Sequence, residues 1–402
     1  MRILESVKRV FGANAETKSV SLLDSAALEI FGATPSASGV SVNAATALRV
    51  PAVYSAIALI AGAIGSLPAK VFQAADQSGK RAAKDHPAYR LVHDEANDWT
   101  SAGELRAALT RDALLHGNGF AFANRVNGRV IEFIRLDPRS VTIRYDEASG
   151  EPSYVLRDKR NRERVFAFAD MLHITPPLNV SPITAGKDAI GVAAILERHA
   201  ATFFKSGARP SGIISNEKPS GSEAGAKTVT GILKQWRAWM TNASGDPLIL
   251  DAGWKYDAPT MTSTDAQFIE NRRFAIEEIA RLFRVPPPML FDLTRATWSN
   301  SEEMGQQFLT LTLRPWLDAW EWAYARCLLS PEERANGHYV EFVIDDLLSA
   351  NAATRATTYA QYRAMGALTA NEVRSGLNLP AMAGADTLDN PNITPGQPEK
   401  PA

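Results

Sequence analysis

The sequence predicts an α+β fold, and two observations carry this prediction. Residues 120–175 contain five short runs of alternating apolar and polar residues, separated by turn signals such as Asn127-Gly128 and Asp137-Pro138. Long segments with apolar residues at helical spacing lie before and after this region. Strands that are grouped in one part of the chain, with helices in the other parts, are typical of an α+β protein with antiparallel sheets.

Length and composition set the next limits. With 402 residues, the chain is long enough for two or three domains with stable cores. Its 45% hydrophobic and 22% charged residues are ordinary values for a soluble globular protein. The net charge of −1 shows no basic excess, so we expect any contact with nucleic acid to be weak or transient. The single cysteine, Cys327, excludes a disulfide framework, and we expect it to be a small buried residue.

Residues 50–67 form the first apolar segment, and we expect a buried helix there rather than a membrane span. The segment barely reaches the roughly 20 residues that cross a bilayer. Pro51 and Pro68 bracket it, and Tyr54 interrupts its start. Residues 1–40 are rich in Ser, Ala and Gly, carry no targeting signal and are predicted to be flexible.

The remaining elements follow from local patterns. Residues 100–116 predict a helix that Thr100 or Ser101 caps, with Glu104 at capping-box spacing and Gly117 at its end. The five alternating runs predict antiparallel hairpins at 120–126, 129–136, 140–145, 153–158 and 164–169. Further helices are expected at 191–208, 226–240, 264–283, 301–329, 349–365 and 371–377, and strands at 211–215 and 338–345. We expect the tail to be disordered.

No pattern of a catalytic or metal centre is present in the sequence. The six histidines form no HExxH motif and no Cys/His cluster, so no zinc site is predicted. The segment 116–119, HGNG, follows a helix and lacks the phosphate-loop pattern, so we interpret it as a helix stop. The GxSxG motif of serine hydrolases is also missing. We therefore expect neither an enzyme nor a bound cofactor or metal.

The basic run 157–164, RDKRNRER, has two interpretations. Clustered Lys and Arg raise the local attraction for phosphates, which would suit nucleic-acid binding. The alternating strands on both sides, however, require a polar turn at this place. We favour the solvated tip of a hairpin.

The most informative segment is 264–322, where a charged amphipathic helix stops and a second long helix begins. Pro286, Pro287 and Pro288 forbid continuation of the first helix. A polar loop with the sequence TRATWSN follows, and Ser299 or Ser301 can cap the next helix. By itself this pattern favours an ordinary connection between two helices.

Several segments, taken in order, resemble the portal protein family of tailed phages with the HK97-type head. The first are VYSAIALIAGAIGSLPAKVF, HPAYRLVHDEANDWTSAGEL and LLHGNGFAFANRVNGRVIEFIRLDPRSV. The most specific are PLILDAGWKY, TDAQFIENRRFAIEEIARLFRVPPPML and SNSEEMGQQFLTLTLRPWLDAWE. The resemblance extends from about residue 42 to residue 379. No single motif is specific, but their order and spacing are.

The resemblance implies a subunit with a wing, a stem of long helices, a small clip and a helical crown, which assembles into a ring. Residues 1–40 would be a flexible segment and 41–221 the wing. The stem helices would be 222–242 and 264–283, the clip 243–263 and the tunnel loop 284–300. A long wing helix and strand would occupy 301–344, the crown 345–380 and a disordered tail 381–402.

The resemblance also implies site residues for a conduit. The tunnel loop would line the narrowest part of a DNA channel, through the following residues: Asp292, Thr294, Arg295, Thr297, Trp298, Ser299 and Asn300. The clip would contact partner proteins through Asp251, Trp254, Lys255 and Tyr256. A near-neutral subunit suits such a channel, because a strongly basic lining would hold the phosphates of the passing DNA.

The implied function is that of a portal at one capsid vertex, through which DNA is packaged and later ejected. The implied partners are further copies of the chain in a homo-oligomer, typically a dodecamer, together with double-stranded DNA, the major capsid protein, the large terminase and a head-tail adaptor protein. The implied location is the virion, after assembly in the cytoplasm of the bacterial host. Both an infectious phage and a domesticated gene transfer particle fit this description. The alternative is a structural ring or adaptor scaffold that conducts no DNA.

Overall fold

The computed structural model describes residues 36–75, 79–157, 162–205, 213–216, 229–235, 254–257, 264–291, 301–344, 352–377 and 379–390. The described helices are α1 Ala44–Ala47, α2 Pro51–Ser66, α3 Pro87–His93, α4 Ala102–His116, α5 Pro182–Ala185, α6 Lys187–Lys205, α7 at 229–235, α8 Thr264–Phe283, α9 Ser301–Gln307, α10 Arg314–Leu328, α11 Pro331–Ala335, α12 Ala352–Ala364 and α13 Ala370–Gly376. A π-helical segment, Phe308–Leu313, joins α9 to α10 without a break.

The described strands form small antiparallel sheets. They are β1 Ala69–Ala75, β2 Gly79–Ala82, β3 Glu95–Asn97, β4 Thr100–Ser101, β5 Gly119–Val126, β6 Arg129–Leu136, β7 Val141–Tyr145, β8 Pro152–Arg157, β9 Glu163–Ala167, β10 Met171–Ile174, β11 Ile213–Asn216, β12 Trp254–Asp257 and β13 His338–Phe342. Their order is β13-β1-β2, β10-β5-β6 and β7-β8-β9, with two pairs, β3-β4 and β11-β12. Mixed helices and antiparallel sheets agree with the predicted α+β class.

Local sequence signals placed many elements correctly. Ser101 caps α4 and forms the predicted capping box with Glu104. Gly117 ends this helix in the left-handed conformation, with φ of 83°, which confirms the helix stop predicted at 116–119. The five predicted runs all contain strands, and β5-β6 and β7-β8-β9 are the expected antiparallel hairpins.

Only helices, at 50–67 and 100–116, were predicted before residue 120, so the strands β1 to β4 were missed. β1 pairs with β13, so that Val71 lies opposite Val340, far away in the chain. A pairing with so distant a strand leaves no local signal, and the sequence of β1, AKVFQAA, alternates only weakly. The Ser78-Gly79 dipeptide between β1 and β2 was the available turn signal. The strand β10 was missed as well, because the predicted run ended before Met171.

Ordered contacts extend into both terminal segments. The backbone N–H of Ala37 donates to Asp188 Oδ1 on α6 at 2.7 Å, although residues 36–40 were expected to be flexible. The Arg363 guanidinium donates to the carbonyl of Thr387 at 3.0 Å. The tail was predicted to be disordered from residue 381. Its part up to residue 390 instead makes specific contacts. Residues 1–35 and 391–402 lie outside the described residues.

The main core lies between α2, α4, α8 and α10. Helices α2 and α4 approach each other at two glycines, where a Cβ on Gly103 would stand 2.6 Å from the carbonyl oxygen of Gly65. Only glycine permits this approach. No described helix combines the length and apolar character that crossing a membrane requires.

A buried arginine, Arg106 on α4, lies next to this crossing. It is 2% exposed, and its guanidinium donates to the carbonyls of Ile64, Gly65, Leu67 and Val92 at 2.7 to 3.3 Å. Three of these carbonyls lie at the C-terminal end of α2 and the fourth at that of α3. One cation thus replaces the missing hydrogen-bond donors at two helix ends, where the helix dipoles also favour positive charge.

A second, smaller core surrounds His173. Phe120, Tyr154 and Met171 are buried there, and the His173 ring stacks on Phe120 with 4.6 Å between centroids. The Nε2 atom of His173 lies 2.8 Å from Asn118 Oδ1, and its Nδ1 lies 3.0 Å from the Tyr154 hydroxyl. Because Asn118 Oδ1 only accepts, we assign the proton of the neutral ring to Nε2 and the acceptor role to Nδ1.

Candidate functional site

The helix α8, Thr264–Phe283, has the bounds that were predicted for the second stem helix. It ends before the three prolines. The N–H of Val285 donates to the carbonyl of Ala280, and that of Arg284 donates to the carbonyl of Arg281. These are the two bonds of a Schellman motif, which places Arg284 in the left-handed region with φ of 58°. Pro286 then prevents any restart in the same direction.

One stripe of the amphipathic helix α8 is buried. Ile279 and Phe283 are buried in it, whereas Phe268 and Ile276 are half-buried. Ala275 and Ala280 complete the stripe. Small side chains allow the neighbouring helices to pack closely, and hydrophobicity alone did not single them out.

Helix α8 packs along α6 through polar and aromatic contacts. Arg272 donates to Glu197 Oε1 at 2.7 Å, and the rings of Phe268 and His199 lie 5.0 Å apart. Another side of α8 is exposed and partly apolar: Ile269 is 55% exposed and Phe274 is 52% exposed. The Arg281 guanidinium covers one face of the Phe274 ring at 5.4 Å.

The predicted channel residues, 292–300, lie outside the described residues, so their assignment remains a prediction. The structure describes both ends of this segment. Phe291 precedes it, 84% exposed and in the left-handed conformation. The helix α9 begins at Ser301, which is therefore the first helical residue and not the cap.

A hydrogen bond ties together the two helices that flank this segment. The hydroxyl of Thr312 donates to the carbonyl of Arg284, immediately after the end of α8. Thr312 is buried within the π-helical segment. There the N–H of Arg314 bonds to Leu309, five residues back, and Pro315 has no N–H to continue an α-helical ladder. No sequence pattern pointed to Thr312, although the proline at 315 is a signal for an irregularity in the helix.

The predicted clip is represented by one described strand. β12, Trp254–Asp257, pairs with β11 so that Lys255 lies opposite Ser215 and Tyr256 opposite Ile214. The structure thus brings Trp254, Lys255 and Tyr256 together on one strand. Asp251 lies outside the described residues.

The chemistry available to the described residues is that of packing and charge. No group of His, Cys, Asp and Glu side chains within them could hold a metal ion. Cys327 is 2% exposed, and burial raises the pKa of its thiol to about 11, which keeps it protonated and unreactive. This agrees with the prediction of a buried small residue.

Comparison with known proteins decides the family. The sequence matches the family described as "Phage portal protein" over residues 51–378, most of the chain. The chain belongs to the phage portal protein family. The match lies within the range, from about residue 42 to residue 379, over which the sequence resembles this family.

Relatives of the portal family agree with the predicted HK97 type. The portal protein of Enterobacteria phage HK97 is 29% identical over 364 residues, covering 86% of this chain and 82% of the relative. A probable portal protein of Streptomyces phage phiC31 is 27% identical over 338 residues, covering 77% and 70%. The predicted HK97-type resemblance is confirmed.

Solved structures support the fold. A chain in the virion of a native gene transfer agent particle superimposes with a TM-score of 0.57 at 23% identity, covering 84% of this chain and 94% of its own. A portal protein of the HK97 family from Corynebacterium diphtheriae gives 0.55 at 17% identity, covering 76% and 96%. Portal proteins are structural, so family membership fits the prediction that the chain is not an enzyme.

Proposed function

We propose that the chain assembles into a ring that forms the DNA channel at one capsid vertex. The observation that carries this proposal is the family match along residues 51–378. One structural neighbour is a chain in the neck of a native gene transfer agent particle computed with C12 symmetry, with a TM-score of 0.56. A ring of twelve copies is therefore the expected assembly of this chain.

In this ring, residues 222–242 and 264–283 form the stem, 243–263 the clip, 284–300 the tunnel loop and 345–380 the crown. The wing comprises 41–221 and continues in 301–344. The exposed Ile269 and Phe274 on α8 support the stem assignment, because a neighbouring subunit in a ring would cover them. In the isolated chain they remain exposed to water.

Charge supports passage of DNA rather than tight binding. The stem helix α8 carries four acidic and three basic residues, so it has no basic excess. Each neutralised phosphate adds affinity, and a strongly basic wall would slow the sliding of a duplex. We expect contacts that are weak, independent of sequence and strongly screened by salt.

Further partners follow from a place at the capsid vertex. We propose that the clip, with Trp254, Lys255 and Tyr256 on β12, faces the large terminase during packaging and a head-tail adaptor protein afterwards. The wing contacts the major capsid protein, and the finished ring is part of the virion. Assembly takes place in the cytoplasm of the bacterial host.

Electron microscopy of the purified full-length chain tests the ring. We expect particles with a central hole about as wide as duplex DNA. Mass photometry of the same sample should give a mass near twelve times 43.6 kDa. A purely monomeric protein at high concentration would contradict the proposed portal.

Replacement of 295–300 by a Gly/Ser segment of equal length tests the channel loop. The rings should still form, because the described helices on both sides are held by the bond between Thr312 and Arg284. DNA packaged per particle, measured by quantitative PCR after nuclease treatment, should fall by about tenfold or more, the order expected from losing a positioning element.

The matched control for the loop is the same Gly/Ser replacement in the exposed turn 147–149 of the wing. It should leave packaging unchanged. If the loop variant also packages normally, the tunnel-loop assignment is wrong. A further outcome is rings that retain no DNA, with no variant changing the amount of DNA packaged per particle. That result would show a scaffold ring without a DNA-conducting role.

A further inference from the structure

A second candidate site lies within a single subunit, away from the predicted channel elements. A cavity of about 470 Å³ opens between the turn of the β5-β6 hairpin, the C-terminal end of α10 and the short helix α11. Its apolar wall includes Val130, Phe168 and Leu329, of which Val130 and Leu329 are buried. Its size is in the range of pockets that accept a few side chains of a ligand.

The charged side chains that line this cavity are mostly arginines. Arg125, Arg129, Arg326 and Arg334 face a single acidic lining residue, Glu333, which lies 3.2 Å from His86 Nε2. The chain as a whole carries a net charge of −1, so this is a local concentration of positive charge. A concave, partly apolar wall strengthens the potential of such a cluster.

Two of the four arginines are fixed by the fold. Arg125 forms an ion pair with Asp170 at 2.8 Å and donates to the carbonyl of Cys327 at 2.7 Å. Arg326 donates to the carbonyl of Met171 at 3.1 Å, and its guanidinium lies 5.7 Å from the Phe168 ring centre. These contacts hold the wall of the cavity rigid, and Asp170 offsets the charge of Arg125.

The other two arginines stand at the exposed part of the cavity. Arg129 follows the turn Asn127-Gly128, and Arg334 lies on α11. Both are exposed, and within the described residues neither has a carboxylate partner. Their guanidinium groups therefore keep donors for a ligand that brings its own negative charge.

We propose that this cavity binds a short acidic peptide segment of a partner protein, with carboxylates at Arg129 and Arg334 and an adjacent apolar side chain against Val130 and Leu329. Guanidinium groups match carboxylates in geometry, and the apolar wall requires a ligand that is not purely charged. The cavity is concave and partly apolar, which suits a peptide better than the wide, uniformly charged surface of a duplex.

Fluorescence anisotropy with the purified full-length protein tests this proposal. The probe is a short fluorescein-labelled peptide of alternating glutamate and leucine, and the reference is the same peptide with glutamine in place of glutamate. We expect Arg129→Ser and Arg334→Ser each to weaken binding by about fivefold and the double variant by about 25-fold, since separate ion pairs add. Binding should also weaken as salt is raised.

The matched control is Arg111→Ser, which removes an exposed arginine of α4 that does not line the cavity. It should leave the affinity unchanged. Equal losses in the control and the cavity variants, equal binding of the glutamine peptide, or no binding by the wild type would overturn the proposal. A short duplex DNA that binds as tightly, with the same dependence on Arg129 and Arg334, would show a general polyanion site instead.

The cavity lies within one subunit, so peptide binding is measured whether or not rings form. Circular dichroism of each variant confirms that loss of binding is not loss of fold. The ring assembly of Arg129→Ser and Arg334→Ser, observed by electron microscopy, separates a failure of the peptide site from a failure of the proposed portal.

Discussion

Arg106→Met is expected to destabilise the subunit by about 4 kcal/mol, because it leaves several buried carbonyls without a donor. The guanidinium of Arg106 satisfies four carbonyls at the ends of α2 and α3, and it is 2% exposed. Methionine fills much of the volume but donates no hydrogen bond. Urea denaturation of the full-length chain, followed by circular dichroism, measures the difference.

Two further variants make this result specific. Arg106→Lys keeps the charge but has one ammonium group, which cannot reach four carbonyls in the fork geometry of arginine, so an intermediate loss is expected. Arg111→Met removes an exposed arginine from the same helix, and it should change the free energy of unfolding by about 0.5 kcal/mol or less. Equal stability of Arg106→Met and wild type would show that these carbonyls find other donors.

Acidification is expected to remove about 3 kcal/mol of stability through His173 alone. Burial lowers the pKa of His173 from 6.5 to about 4, and the charge of Arg326 adds to this effect. The unfolded chain binds a proton below about pH 6.5, whereas the folded chain keeps the ring neutral until about pH 4. The stabilisation from the neutral ring is therefore complete above pH 6.5 and is lost as the pH falls toward 4.

The variant His173→Gln isolates this effect, because the other titrating groups are the same in both proteins. Glutamine can still bond to Asn118 but does not titrate. We subtract the free energy of unfolding of the variant from that of the wild type. This difference should decrease as the pH is lowered from about 7 to about 4.5. A difference that stays constant over this range would mean that His173 is protonated equally in both states.

The sequence was sufficient for elements that depend on neighbouring residues. The capping box of Ser101 and Glu104, the stop at Gly117 and the turn at Asn127-Gly128 each involve side chains and backbone within a few positions. The bounds of α8 were also predicted, although the stop acts through Arg284 and Val285 before the prolines are reached. Local chemistry determines all of these features, so local patterns reveal them.

Contacts between distant parts of the chain could not be predicted in this way. The pairing of β1 with β13 joins residues about 270 positions apart, and Arg106 and Thr312 bond to carbonyls on other elements. An arginine in a helical pattern normally indicates an exposed face. Nothing in the sequence around Arg106 distinguishes it from Arg111, five residues later.

For the candidate site, family resemblance was more informative than any residue pattern. Loop residues such as Arg295 and Trp298 carry no catalytic signature, since a channel needs shape and balanced charge rather than reactive groups. Their assignment came from the order of segments along the chain. It remains a prediction, because 292–300 lie outside the described residues.

The π-helical segment Phe308–Leu313 sets an angle as well as a bond pattern. A π turn holds one residue more than an α turn, and each residue of an α-helix rotates the chain by about 100°. The side chains before the segment are therefore rotated about the helix axis by about 100°, compared with their directions in an uninterrupted helix. In a ring, the same offset in every copy would decide which side chains of α9 face the axis and which face the neighbouring subunit.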